Sequence, residues 1–209
     1  MPTSAPKLPT RADRRRERTR ARLLEAAREL FAEQGVGATR LGEISERADV
    51  AAGSLYNHFS GKDEIVDAVM AEITEEQGKI VDAMTADLDD PAEVVAFAHR
   101  HFVRLAATEP HFAQLIVRLD ASHRLMTKAL GPRALRDIQR GLDAGRFDFP
   151  GAEAAVTITG GALLGAMRGV SEGRLGPDAD EVQAAAVLRM LGLTPSEAAE
   201  ISRRAIPAA

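Results

Sequence analysis

Residues 39–64 read TRLGEISERADVAAGSLYNHFSGKDE, and the rest of the chain is best read outward from them. Leu41, Ile44 and Ala48 share one face of a short helical pattern that Thr39 is placed to cap. Gly42 inside it costs roughly 1 kcal/mol relative to alanine, so packing has to hold this helix. A second short helix is predicted over 51–57, with Leu55 turned inward. Only Arg47 to Val50 separate the two, with small Ala48 where they cross. That spacing matches a helix-turn-helix, although any small helical bundle has tight corners. The outer chemistry strengthens the match. Ala52, Gly53 and Ser54 are small enough for close approach to a flat partner, and Tyr56, Asn57 and His58 behind them can all donate hydrogen bonds. Tyr56 is the only tyrosine of the chain, and its plainer reading is a half-buried ring with the hydroxyl in water.

Ser60 caps the next helix, with Asp63 three residues on. Lys62 then sits in a first turn, where the helix dipole disfavours a cation. Either it is an exposed lysine at a small cost, or an anion such as a backbone phosphate shares the site with the free N–H groups. The charge balance favours the anion. Residues 1–22 hold eight Lys/Arg against two carboxylates, a net of +6, whereas residues 63–209 hold fifteen basic against twenty-three acidic side chains, a net of −8. A basic head on an acidic body points to a polyanion for the head alone.

Ahead of this stretch, Leu23, Ala27, Leu30 and Phe31 form an apolar stripe on a helix from about Arg16 to Gly35, and residues 1–15 read as a disordered basic arm. Behind it, helical patterns follow from Ser60 to Leu88, from Pro91, from Pro110, over 122–130 and 132–144 as segments separate or kinked at Gly131-Pro132, over 151–173 and 178–192, and from Pro195. Strand alternation is absent, so the chain reads as all-α. Zero cysteines exclude disulfides and thiolate chemistry. There is no G-x-S-x-G, no HExxH and no phosphate-cradling glycine loop, and the chain is not expected to be an enzyme or to carry a cofactor. Without an apolar run of membrane length or a secretory h-region, a cytoplasmic protein is expected.

The run LLEAARELFAEQGVGATRLGEISERADVAAGSLYNHFSGKDEIVDAV, with FAEQG, AT, ISERADV, GSLYNHF and GKDE as markers, resembles the DNA-binding domain of the TetR family of bacterial transcriptional regulators over residues 17–77. The resemblance implies a three-helix head over residues 16–62, joined by the fourth helix to a larger helical ligand-binding and dimerisation body over 63–209. It implies that Thr39 (with Arg40 beside it) and Tyr56 contact phosphate, that His58 and Lys62 lie next to them, and that Ala52, Gly53, Ser54, Tyr56 and Asn57 face the major groove. The family usually has Ser or Thr where this chain has Ala51, the start of the recognition helix.

A helix-turn-helix reads palindromic half-sites as a dimer, so the body must pair with a second copy. Gly161, Gly165 and Gly169 recur every four residues, a spacing that permits close helix–helix approach. With Leu164 and Arg168 on one helix and Val182, Ala186 and Arg189 on the next, they are the candidate homodimer interface; close packing within one chain is the alternative. Met84, Phe97, His101, Phe102, Phe112, Ile116 and Met126 are the candidate lining of a cavity for a small apolar effector, or plain core. His99 and His101 are two apart and make a poor metal pair; Asp120 and His123 are better spaced but lack a third ligand. The expected function is a repressor that binds a palindromic operator in double-stranded DNA and is released by a small molecule. The rivals are an architectural DNA binder without a ligand and a helical small-molecule-binding protein that has lost DNA binding.

Overall fold

The computed structural model describes residues 10–109 and 121–206, with side chains in the second stretch described from residue 128. The elements are α1 (Arg11–Ala38), α2 (Leu41–Arg47), α3 (Ala52–Leu55), α4 (Lys62–Met84), α5 (Pro91–Thr108), α6 (Ala121–Asp143), α7 (Ala152–Ser171), α8 (Ala179–Met190) and α9 (Pro195–Ser202). No strand occurs among the described residues. Two compact units divide between Val69 and Met70, within α4, and so seven residues beyond the boundary expected at residue 62.

In the head, α1 begins five residues earlier than its apolar stripe suggests. The Thr10 hydroxyl accepts from the Asp13 N–H at 3.2 Å, and the Asp13 carboxylate accepts from the Thr10 N–H at 2.8 Å. This reciprocal cap recruits the arginines that follow into the helix. Residues 11–15 are therefore helical rather than part of a disordered arm, while residues 1–9 lie outside the described residues. Gly35, at φ 78°, kinks α1 where its end is expected.

The tight corner after α2 has a specific backbone solution. Val50 N–H donates to the Ser45 carbonyl and Asp49 N–H to that of Glu46, the paired bonds of a Schellman turn. This geometry needs a left-handed residue, and Asp49 supplies it at φ 49° in place of the usual glycine. Arg22 holds Asp49 from outside, donating to both its carbonyl and its carboxylate at 3.1 Å. Beneath the corner, Leu23, Leu24, Ala27, Phe31, Ile44, Leu55, Phe59 and Ile65 are all but fully buried. At about 1.5–3 kcal/mol for each large side chain, this nucleus is what holds the short helices.

Three expectations at the element ends are corrected. Thr39 does not cap α2; the Arg40 N–H is instead accepted by the Glu43 carboxylate at 2.7 Å. The α3 helix spans only four residues, and Tyr56, Asn57 and His58 follow it in a turn. Ser60 pairs with Glu64 rather than Asp63, donating from both its N–H and its hydroxyl to the Glu64 carboxylate.

In the body, α5 is buried on almost every side, and its Ala92, Val95 and Ala96 meet Ile138 of α6, Ala155 of α7, Ala184 and Leu188 of α8 and Ile201 of α9 in one core. The stretches before and after Gly131-Pro132 are not separate helices, and α6 continues through Pro132. An internal proline costs about 3 kcal/mol. Here the helix is pinned in the turns just after it. Arg133 donates to Glu75 and Asp82, Arg136 donates to Asp82, and Ile138 is 1% exposed.

Candidate functional site

The head presents a polar surface at α3 and the turn after it. Tyr56 is 63% exposed. Ala52, Gly53, Asn57 and Arg40 are also exposed, while Ser54 and His58 are half-buried. A Cβ added at Gly53 would meet nothing within 4 Å, so no intramolecular contact requires this glycine. Ala51 precedes the helix without a side-chain cap, as its chemistry dictates, and Ser54 N–H closes the first turn onto the Ala51 carbonyl. Behind the turn, Arg20 stacks over the Phe59 ring at 4.9 Å and Arg16 donates to the Asn57 carbonyl at 3.4 Å. The Asn57 side chain is not used by that bond.

Two predicted contact residues also make contacts within the chain. Thr39 is 2% exposed, and its hydroxyl donates to the Gly35 carbonyl at 2.9 Å, so it tightens the end of α1 instead of facing outward. Lys62 has a partner inside the chain. Its ammonium donates to the Thr39 carbonyl at 2.6 Å and reaches that of Gly37 at 3.5 Å. The Gly37 carbonyl lies in the last residues of α1, beyond the Gly35 kink, and the Thr39 carbonyl follows directly after the helix. A phosphate is therefore not needed to account for Lys62. The lysine joins the start of α4 to the α1–α2 corner.

The body contains two adjoining cavities between α5, α6 and α7. One, of about 80 Å³, also reaches α4 and is lined by Gly78, Val81, Asp82, Val95, Ala98, Phe102, Arg133, Asp137 and Ile138. The other, of about 110 Å³, is lined by Gly131, Val156, Thr157, Thr159, Gly160 and Leu164. His99, Leu130, Ala134 and Leu163 line both. The smaller cavity thus combines apolar and charged lining. Burial pushes Asp82 up, but hydrogen bonds from Arg133 and Arg136 outweigh it and hold the carboxyl below its ordinary range. Arg133 Nε lies 2.7 Å from Asp82, and its other nitrogens lie 2.9 and 3.0 Å from Glu75. His99 Nδ1 accepts from Gln183 Nε2 at 2.9 Å, and burial lowers its pKa to about 4.

Of the predicted lining, Phe102 lines the smaller cavity. Phe97 is core at 4% exposure, Met84 ends α4 half-buried, and the His101 ring is bonded through Nε2 to Gln77 at 2.8 Å; none of these three lines either cavity. Phe112, Ile116 and the side chain of Met126 lie outside the described residues, as do the side chains of Asp120 and His123. No group of three His, Asp or Glu that could hold a metal occurs among the described residues. The cavity residues that sequence reasoning missed are Asp82, Arg133, Asp137 and His99. The available signal was the i, i+4 pair Arg133 and Asp137, on the same helix face as Leu130 and Ala134.

The glycine face of α7 is split. Gly161 and Gly165 are exposed, and a Cβ at either would meet nothing within 4 Å. Gly169 is buried, and its Cβ would lie 2.7 Å from Leu175, so its space serves packing within the chain and it leaves the candidate interface. Leu164 is half-buried against the larger cavity. Arg168, Val182, Ala186 and Arg189 are exposed, and Ile158, half exposed on the same side as Gly161 and Gly165, joins them. No described helix is long and apolar enough to cross a membrane.

Comparison with known proteins gives the same two-part division. Residues 23–69 match the family model for bacterial regulatory proteins of the tetR family, and residues 90–204 match the tetracyclin repressor-like C-terminal domain. The HTH-type transcriptional repressor KstR2 of Mycobacterium tuberculosis (strain CDC 1551 / Oshkosh) is 31% identical over 113 residues, 52% of this chain and 54% of that protein. The regulator SrpR of Pseudomonas putida is 46% identical over 55 residues, 26% of each chain. The chain thus spans about half the length, or less, of these curated relatives. The crystal structure of RolR in complex with resorcinol covers more: it is 37% identical, spans 93% of this chain and 98% of its own, and superimposes with a TM-score of 0.86.

Proposed function

Because the chain belongs to the TetR family of bacterial regulatory proteins, we propose that it is a transcriptional repressor that binds a palindromic operator as a homodimer and is released by a small hydroxylated aromatic molecule. The observation that carries this reading is the charged lining of the smaller cavity, where Asp82, Arg133 and Asp137 stand among Val81, Phe102 and Ile138. Two carboxylates and a guanidinium suit ligand hydroxyl groups, and the apolar lining suits the ring. The effector expected from the sequence was simply apolar; the cavity asks for polar groups on the ring as well. The resorcinol-bound relative, at 37% identity, supports the same class.

On the DNA side, Tyr56, Asn57, Ser54 and Gly53 meet the major groove, and Arg40, His58 and the arginines of α1 meet the backbone. A second copy docks on Gly161, Gly165, Ile158, Val182 and Ala186. The linking element is α4, which begins at Lys62 and carries Glu75 and Asp82 to Arg133. A ligand hydroxyl entering beside Asp82 competes for Arg133 and re-seats α4, which favours a spacing of the two heads unsuited to the operator. Such coupling requires the ligand to bind one spacing more tightly than the other.

Footprinting on the region upstream of its own gene, with and without resorcinol, tests the reading. The expected result is one discrete palindromic footprint that resorcinol removes. Diffuse protection points to an architectural DNA binder, no protection on any DNA points to a lost DNA function, and a footprint indifferent to any hydroxylated aromatic sinks the proposed effector class.

A further inference from the structure

The two cavities differ in polarity but share His99, and their sizes give that histidine a role. A cavity of about 150 Å³ holds a single benzene ring. Neither lobe reaches that size alone, at about 80 and 110 Å³, whereas the two together exceed it. A ring-sized ligand must therefore occupy space on both sides of the shared wall. Leu130, Ala134 and Leu163 contribute only carbon to that wall through their side chains, and His99 contributes the one polar side chain.

The ring nitrogens of His99 are not equivalent. Gln183 Nε2 lies 2.9 Å from Nδ1, and an amide nitrogen only donates, so Nδ1 accepts. In the neutral imidazole the proton then sits on Nε2. The ring is neutral because burial holds its pKa near 4, well below the range in which bacteria live. In the larger lobe the alternative hydroxyl donors are already engaged, since Thr157 donates to the Glu153 carbonyl at 2.9 Å and Thr159 to that of Ala155 at 2.8 Å. A ligand oxygen there has His99 as its side-chain donor. Gln183 Oε1 is buried and has no hydrogen-bond partner among the described residues.

We propose that His99 is a ligand-binding residue whose Nε2–H donates to an oxygen of a hydroxylated aromatic ligand lying across both lobes, and that Gln183 is the positioning residue that sets its tautomer. This rests on the reading of the cavities as the effector site. It adds a second polar anchor, opposite Asp82, Arg133 and Asp137, and so selects ligands bearing oxygens at both ends over ligands with one. Because Gln183 belongs to α8, whose outer positions Val182 and Ala186 are in the proposed dimer face, the anchor also ties the ligand to that helix.

The test uses the full chain labelled with ¹⁵N-histidine, titrated with resorcinol and, as a ring without oxygens, toluene. The ligand-free protein is expected to show His99 as the Nε2–H tautomer. Resorcinol should shift the Nε2 resonance and toluene should not, and His99→Leu should weaken resorcinol binding roughly three- to tenfold while leaving toluene unaffected, the loss expected for one neutral hydrogen bond. The spectra of the wild-type protein decide the matter even if the leucine variant folds poorly. An Nδ1–H tautomer, or resorcinol binding with a silent Nε2 and full affinity in His99→Leu, overturns the role of His99 and leaves the cavity reading standing. If the wild-type protein binds no resorcinol at millimolar concentration, both fall.

Discussion

Two ionic clamps hold helices together in the two halves of the molecule, and they differ chiefly in their exposure to water. In the head, Arg47 of α2 grips Glu29 and Glu33 of α1 at 2.9–3.0 Å, with 38% of its side chain exposed and about half of each glutamate. In the body, Asp180 of α8 is held by Arg100 and Arg104 of α5 at 3.1 and 2.7 Å, with Asp180 and Arg100 only 5% and 2% exposed. Arg100 also donates to the Arg204 carbonyl, tying in the end of the chain. Water screens the first clamp and not the second. The head therefore relies on its apolar nucleus, so that its surface charge can be devoted to a polyanion. The body uses buried charge to fix the register of α8 against α5, the two helices that between them carry His99 and Gln183.

The sharpest way to break this contrast is Asp180→Ala. Burial pushes Asp180 up, and the bonds from Arg100 and Arg104 more than offset it, so the carboxylate is ionised wherever the protein is folded near neutrality. Removing it leaves buried Arg100 with only Glu181 at 3.6 Å as counter-charge, a loss of about 2–4 kcal/mol. Urea unfolding monitored by circular dichroism should show it as a lower midpoint, and a shift under 1 kcal/mol would place the two clamps in one class.

A second buried group sharpens the comparison through pH. His99 has its folded pKa lowered from 6.5 to about 4, so the unfolded chain binds the extra proton first as pH falls. Stability from this group is complete above pH 6.5 and is lost progressively as pH drops towards 4. The full swing is on the order of 3 kcal/mol. His99→Gln should flatten the fall in stability between pH 6.5 and 4 relative to the wild type, and parallel curves for the two proteins would show that the ring does not titrate as its burial implies.

The exposed glycines of α7 extend the contrast to a surface. Gly165→Leu adds a side chain where nothing lies within 4 Å in a single chain, so the monomer should fold as before. Against a second copy the same side chain overpacks, at a cost of about 1–3 kcal/mol. Sedimentation velocity should show a weaker dimer; an unchanged dimer would move the interface away from this face. At Gly169 the result inverts, because a side chain there meets Leu175 of its own chain and the loss appears in folding.

How much of this was legible in the sequence follows from how far apart the cooperating residues lie. The order of α1, α2 and α3 and the apolar contacts of the head were legible, because these elements are consecutive and each has a local apolar pattern, whereas their ends were not. Thr39 was read as a cap of α2 and Lys62 without its partner inside the chain, since neither periodicity nor charge shows that a lysine twenty-three residues later reaches the Thr39 carbonyl. The polar cavity wall was missed for the same reason on a larger scale. Asp82 and Arg133 are 51 positions apart, and each alone looks like a solvated charge on a helix. The Gly161–Gly165–Gly169 repeat was legible as a small-residue face, but its division between two uses depends on where the turn after α7 places Leu175. The helix across Pro132 was read as separate or kinked segments because Asp82, which anchors Arg133 and Arg136, is on another element.

The smallest expected effect falls on the head clamp. Arg47 keeps its charge on Glu29 and Glu33, and Glu33 is held below its ordinary pKa chiefly by the hydrogen bond from Arg47. An exposed pair of this kind contributes little to folding, so Arg47→Ala should melt close to the wild type. It should also leave operator affinity and its salt dependence nearly unchanged, because an arginine engaged by two carboxylates has little charge to offer a phosphate. Lys62→Ala makes the informative partner. Its carbonyl partners are neutral and leave its charge uncompensated, so its loss should weaken binding to all DNA sequences about equally and lower the log–log salt slope by roughly one. Fluorescence anisotropy over a range of salt concentrations measures both. If Arg47→Ala lowers the slope as much as Lys62→Ala does, the head clamp opens on DNA, and the contrast between a screened clamp and a buried one becomes a contrast between a switch and a lock.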